Sequence, residues 1–391
     1  MNSSKLLAIK NAKVVHERGI IWDGVIVIEN DRIKAYGKSK DIEIPEGAEI
    51  IDAEGAYVGP GFVDIHVHGG GGYSTSQQPI EASEYFLSHG TTTLLPTLAY
   101  NMPKETFFSA IETVVAAIGK ARTVRGMYLE GPYTNANYGS HSYMNEWRGE
   151  ILEEDYKRMV DAAGKYATVW TIAPERVSEG LLGFLKYARE VNPNTIFAVG
   201  HSEAFPSEIR ALGKYRPKIQ THSMNATGRK NEKGHGLRYF GPDEYCFKEN
   251  DVYCEMISDS LGIHVNTEMQ ELLIHTKGVD KVVLISDCTT HSHPVPEKYA
   301  GVTDLNFDAK GGIAGSKITL DQACRNVMAH TNVGICQAFL MASTNPAKAV
   351  GLYDELGAID IDKRADLVFV DDTFKVKRVI LGGETVEKIN L

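Results

Sequence analysis

The amino-terminal stretch alternates apolar and polar residues in short bursts. From about Leu6 to Tyr57, the runs Leu7-Ala8-Ile9, Lys13-Val14-Val15, Gly24-Val25-Ile26-Val27-Ile28 and Arg32-Ile33-Lys34-Ala35 predict strands. Polar turns such as Glu29-Asn30-Asp31 separate them, as in an antiparallel sheet. After Gly59-Pro60 the pattern changes to apolar strand-like runs alternating with longer stretches at helical spacing, such as Lys104 to Lys120 and Glu153 to Gly164. The strand-like runs are Phe62 to His68, Thr91 to Leu98, Gly126 to Glu130, Ala167 to Ile172, Thr195 to Gly200, Lys218 to His222, Val252 to Ile257 and Lys281 to Ser286. Eight such βα units predict an α/β fold closed as a (β/α)8 TIM barrel, with the helices forming the outer ring. Beyond Asn345-Pro346-Ala347 the chain returns to strands at Ala365 to Val370 and Val376 to Ile380. These predict a small β-sandwich domain built from both ends of the chain, residues 1–59 with 353–391, beside a barrel spanning 60–352.

A chain of 391 residues, 43% of them hydrophobic, can bury a core of that size. Its net charge of -10, with basic residues scattered singly, leaves no footprint for nucleic acid or an anionic membrane surface. No apolar run is long enough for a signal-peptide core or a membrane span, so a cytoplasmic protein is expected. The cysteines, Cys246, Cys254, Cys288, Cys324 and Cys336, form no C-x-x-C pair and are read as reduced structural residues.

The candidate chemistry begins at Pro60 to Gly72. Val63, Ile65 and Val67 alternate with Asp64, His66 and His68, so the two imidazoles share one face of a strand that four glycines then end. An isolated His-x-His pair is weak evidence. In a barrel, however, the carboxyl ends of the strands form the active-site face, and that is where Glu130, His201, His222 and Asp287 also fall. Four imidazoles and two carboxylates make a mixed nitrogen and oxygen set suited to a divalent ion such as zinc, iron(II), manganese or cobalt. Two tempting motifs carry less. Gly69 to Gly72 lacks the Lys-Ser/Thr of a P-loop, and Cys288 near His291 and His293 explains less than a metal-site aspartate does.

Pro60 to Gly70, Leu129-Glu130-Gly131-Pro132, Gly200-His201-Ser202, Thr221 to Ala226 and Ile285-Ser286-Asp287 together resemble the amidohydrolase superfamily. Within it they are most similar to N-acetylglucosamine-6-phosphate deacetylases. The resemblance implies that Glu130, His201 and His222 hold one metal, and that His66 and His68 serve a second ion with Glu130 able to bridge, so one or two ions are open. It implies that Asp287 is the general base and acid. His141 matches a loop histidine that reaches substrate, and His264 a histidine that contacts the sugar. Asn225 and Ala226 follow the sixth strand, where they are expected to hold the phosphate-bearing end.

The phosphate loop departs from the family pattern, because Lys233 falls where an arginine is expected and Arg229 stands nearby. Either cation is a candidate contact, and Lys supplies a point charge where Arg supplies a planar fork. Deacetylation of N-acetylglucosamine 6-phosphate, by a homodimer with zinc or iron, is the implied activity. Another N-acetylhexosamine, such as N-acetylgalactosamine 6-phosphate or an unphosphorylated sugar, stays open. So do a D-aminoacylase-like amidohydrolase and, in a different class, a non-catalytic sugar-binding or regulatory protein.

Overall fold

The computed structural model describes residues 5–17, 19–228, 239–291 and 293–387. Its centre is a sheet of eight parallel strands in simple sequence order. They are β1 (Phe62–Val67), β2 (Thr91–Ala99), β3 (Met127–Glu130), β4 (Ala167–Ile172), β5 (Ile196–Val199), β6 (Ile219–Gln220), β7 (Tyr253–Met256) and β8 (Val282–Leu284). The eight runs read from the sequence all recur, the fourth with the same bounds and the second one residue longer, the others with shorter hydrogen-bonded cores. At β6 the ladder ends at Gln220 and the chain turns at His222 with φ +27°. A closed seam joins the first strand to the exit of the last. The Asp287 amide donates to the His66 carbonyl at 3.0 Å, and the His68 and Gly69 amides both reach the Cys288 carbonyl, at 2.8 and 2.9 Å. The fold is therefore a TIM barrel with a second sheet beside it.

That second sheet also has eight strands, and it combines both ends of the chain. Leu6–His16 pairs antiparallel with Gly19–Glu29, and Leu367–Val370 pairs antiparallel with Tyr57–Pro60. Two details differ from the sequence expectation. The runs at Leu7 and Lys13 belong to one strand, whose register shifts around Asn11, a residue at φ +55°. The bulge keeps Ile9 and Val14 both buried although the alternation slips between them. The sheet is also mixed, because Glu49–Asp52 and Tyr57–Pro60 both run parallel to Leu6–His16.

The barrel's outer layer is aromatic. Helices Lys104–Ala117, Glu153–Ala163 and Glu179–Val191 close over Phe107, Trp147, Trp170 and Phe184. Ser178 caps the last of these helices, its hydroxyl accepting from the Leu181 amide at 3.2 Å. Inside the barrel, below the carboxyl ends of the strands, Tyr128, Thr171 and Thr221 bond to one another through their hydroxyls at 2.8 to 3.2 Å. These polar atoms are paired where water is excluded, so burying them costs little. Among the described residues, no helix is long and apolar enough to cross a membrane.

Phe184 is fully buried and packs edge to face on Tyr133 and Trp170, with ring centroids 5.1 Å apart in each case. Phe184→Ala removes that wedge and is expected to cost about 3–5 kcal/mol. The shift of the urea midpoint of metal-stripped protein checks this.

Candidate metal centre

Six side chains predicted from distant parts of the sequence meet at the carboxyl end of the barrel. They form two groups whose donor atoms lie within 4.8 Å of one another: Glu130, His201 and His222 in one, His66, His68 and Asp287 in the other. His201 Nε2 and His222 Nε2 approach the same Glu130 Oε1, at 2.6 and 2.9 Å, and stand 3.0 Å apart. The second Glu130 oxygen, Oε2, faces His68 Nε2 at 3.4 Å, and His68 Nε2 lies 3.3 Å from Asp287 Oδ1. Glu130 therefore stands between the two groups.

The backbone explains the convergence. His201, His222 and Asp287 each follow a strand and adopt φ of +46°, +27° and +45°. Left-handed conformations cost a non-glycine residue roughly 1–3 kcal/mol each, and such outliers cluster at functional sites. Side-chain tautomers are fixed from behind. His222 Nδ1–H donates to the Asn225 carbonyl at 3.1 Å, which turns its Nε2 toward the Glu130 carboxylate. His66 Nδ1–H donates to Glu255 Oε2 at 2.9 Å. Its Nε2 is buried without a hydrogen-bond partner, 3.7 Å from Glu130 and 3.8 Å from Asp287. An unpartnered imidazole nitrogen aimed at two carboxylates is what a metal ligand requires, so the residues fit a divalent cation.

Electrostatics support the same reading. Burial pushes the Glu130 carboxyl upward, but His201, His222 and His68 outweigh it and hold Glu130 well below the usual carboxylate range. Burial likewise opposes ionisation of Asp287, yet His68, His66 and His222 keep its pKa low. The two rings on Glu130 Oε1 cannot both carry a proton on nitrogens 3.0 Å apart. Burial pushes His201 down. For His222 burial acts in the same sense, but Glu130 and other acids win and raise it to about 9. His68, against the same penalty, is raised to about 10 by Asp287 and Glu130.

The metal-site residues open into a cavity of about 610 Å³ whose lining includes Asn225, Ala226 and His264. His264 is buried, and its carbonyl accepts from Asn225 Nδ2 at 3.4 Å. His141, at φ +53°, sits at the rim; its neighbours Gly139 and Ser140 line the cavity, as does His291, whose ring centroid is 5.8 Å from that of His141. Arg229 and Lys233 lie outside the described residues.

Sequence reasoning assigned no site role to several residues of this region: Tyr100, whose ring centroid is 5.2 Å from that of His201, and His291, Asp64 and Glu255. Asp64 is fully buried, with one oxygen unpartnered and its pKa pushed by burial to about 7. A signal existed for Asp64, which shares the strand face of His66 and His68. A carboxylate in the apolar run Val252 to Ile257 was the equivalent signal for Glu255.

Paired histidine and carboxylate triads at the mouth of a parallel barrel define a metal-dependent hydrolase. The chain belongs to the amidohydrolase family, whose model matches residues 57–386. It is 26% identical over 400 residues to N-acetylglucosamine-6-phosphate deacetylase of Haemophilus influenzae, covering 97% of this chain and 99% of that protein. It is 26% identical over 358 residues to N-acetylgalactosamine-6-phosphate deacetylase of Escherichia coli O157:H7, covering 87% and 90%. The crystal structure of N-acetylglucosamine-6-phosphate deacetylase from Pasteurella multocida superposes with a TM-score of 0.84 at 24% identity, over 97% of this chain and 99% of that one. A mutant of the Mycobacterium smegmatis deacetylase in complex with N-acetyl-D-glucosamine-6-phosphate superposes with a TM-score of 0.80 at 27% identity, over 98% and 99%.

Because His68 and His222 hold protons up to about pH 10 and 9 in the metal-free chain, a cation must displace those protons at neutral pH. Metal affinity is expected to fall as pH falls, by about tenfold per pH unit for each proton displaced. Addition of zinc to chelator-stripped protein in weak buffer at pH 7 is expected to release protons, and pH-stat titration counts them.

Proposed function

We propose that this chain hydrolyses the acetamide of N-acetylglucosamine 6-phosphate, giving acetate and glucosamine 6-phosphate. Glu130, His201 and His222 hold one divalent ion, zinc or iron, and His66 and His68 serve a second. The observation that carries the reading is the placement of the Asp287 carboxylate 3.3 Å from His68 Nε2, within the set of donors that opens into the substrate-sized cavity. A divalent ion in that set supplies a water whose pKa is lowered to roughly 7 and a Lewis acid for the acetyl oxygen.

The chain's own residues do the rest. Asp287, kept ionised by its histidine neighbours, accepts the proton of the attacking water and delivers it to the amide nitrogen as the C–N bond breaks. An amine leaves readily only once protonated, so a single carboxylate serves both halves of the reaction. His141 at the rim assists the carbonyl or a sugar hydroxyl. His264 contacts the sugar, and Asn225 and Ala226, with Arg229 or Lys233, take the phosphate-bearing end.

The relatives at 26% identity include both a glucosamine-type and a galactosamine-type deacetylase, which supports N-acetylgalactosamine 6-phosphate as a second reading of the same site. We further infer a cytoplasmic homodimer, supported by the family resemblance and by cysteines that are all free. Residues 1–59 with 353–391 are taken as one β domain beside the catalytic barrel 60–352, a division supported by the pairing of Leu367–Val370 with Tyr57–Pro60.

Asp287→Asn is expected to lower kcat by about 10²–10⁴-fold while the ion at Glu130, His201 and His222 and the KM are retained. Substantial turnover in that variant would remove Asp287 from proton transfer. Acetate release from N-acetylglucosamine, N-acetylgalactosamine and their 6-phosphates, measured side by side, tests the substrate. Equal kcat/KM with and without phosphate would sink phosphate recognition.

A further inference from the structure

Glu255 belongs to none of the roles described so far, yet it is a fully buried acid in direct contact with the metal-site residues. It sits on β7, on the inner face of the barrel, with no exposure to solvent. Its Oε2 accepts from His66 Nδ1 at 2.9 Å and from the His222 backbone amide at 3.0 Å. Its Oε1 is buried with no hydrogen-bond partner. No lysine or arginine among the described residues lines the cavity.

We propose that Glu255 is the positioning residue that makes His66 a metal ligand and thereby secures the second ion. The proposal deepens the metal-dependent reading above and rests on it. Two consequences of the geometry carry it. First, the carboxylate can only accept, so the His66 proton is fixed on Nδ1 and the Nε2 lone pair is left facing Asp287 and Glu130. The ring packs against Tyr128, whose centroid is 4.7 Å away. Second, a hydrogen bond to a carboxylate makes the imidazole a stronger donor than a carbonyl partner would, and the nitrogen so activated is the Nε2 left unpartnered between Glu130 and Asp287.

The test measures metal content, not turnover. Chelator-stripped wild type, Glu255→Gln and Glu255→Leu are titrated with cobalt(II), with stoichiometry read by elemental analysis and ligand field by visible absorption. Wild type is expected to take two ions per chain. Glu255→Leu removes the acceptor and is expected to take one, losing the spectral component that His66→Asn also loses. Glu255→Gln can still accept through its amide oxygen, and is expected to rescue the second ion at about 10–100-fold weaker affinity.

A purely structural Glu255 would lower the melting temperature of the metal-free variants and leave stoichiometry at two, which would overturn the proposal. Wild-type affinity for the second ion in Glu255→Gln would overturn it as well, even if Glu255→Leu does not fold. Uptake of one ion by wild type would overturn the two-ion reading and the role of Glu255 with it. Uptake of two ions without acetate release from any N-acetyl sugar would overturn the proposed function and leave the role of Glu255 standing.

Discussion

The seam that closes the barrel is the constraint on which the site depends. The Asp287 amide bonds to the His66 carbonyl, and the Cys288 carbonyl receives the amides of His68 and Gly69. The Asp64 carboxylate reinforces the seam from inside, accepting from the Ser286 amide across 222 positions of sequence. These bonds fix the register of the first strand against the exit of the last. With a period of two, a slip of one residue would turn His66 and His68 away from Asp287 and expose Val67 to the interior mouth. The His-x-His pair and the candidate acid–base residue therefore share one geometric origin.

Glu130 then ties the seam to the opposite wall. Its Oε1 is reached by His201 and His222, whose strands lie across the barrel, while its Oε2 faces His68. Two groups that share one carboxylate cannot adjust independently, because rotating Glu130 to suit one withdraws an oxygen from the other. The left-handed backbone at His201, His222 and Asp287 adds to the local cost. The scaffold below is accordingly stiff. The Tyr128, Thr171 and Thr221 hydroxyls are mutually bonded, and aromatic packing surrounds the barrel wall.

Much of this was legible in the sequence, for a physical reason. Buried parallel strands are short apolar runs, and residues that end them are placed together by the barrel whatever their separation along the chain, so Glu130, His201, His222 and Asp287 could be collected without coordinates. What escaped was of two kinds. Tyr100 and His291 belong to loops, where no periodicity tells which way a side chain turns. Asp64 and Glu255 lie within strands, and in a search for strand-end ligands an acid inside an apolar run reads as an interruption. The bulge at Asn11 was hidden similarly, since two short alternations out of phase look like two strands until a shared partner shows them to be one.

The connection from the metal-site residues to the candidate substrate loop follows from the same hydrogen bonds. His222 is oriented by the Asn225 carbonyl, and the Asn225 side chain donates in turn to the His264 carbonyl. Asp243, half-buried, holds the intervening turn by accepting from the Met224 amide at 2.8 Å and the Thr227 hydroxyl at 2.6 Å. A change in how Asn225 engages a ligand would therefore alter the angle at which His222 presents Nε2 to Glu130. The candidate substrate contacts and the candidate metal ligands are in this respect one hydrogen-bonded unit. The unit also constrains how specificity can diverge between related sugars. Replacements in the turn itself disturb the ligand field, whereas the outer rim, where His141 and His291 stand, can vary without moving His222.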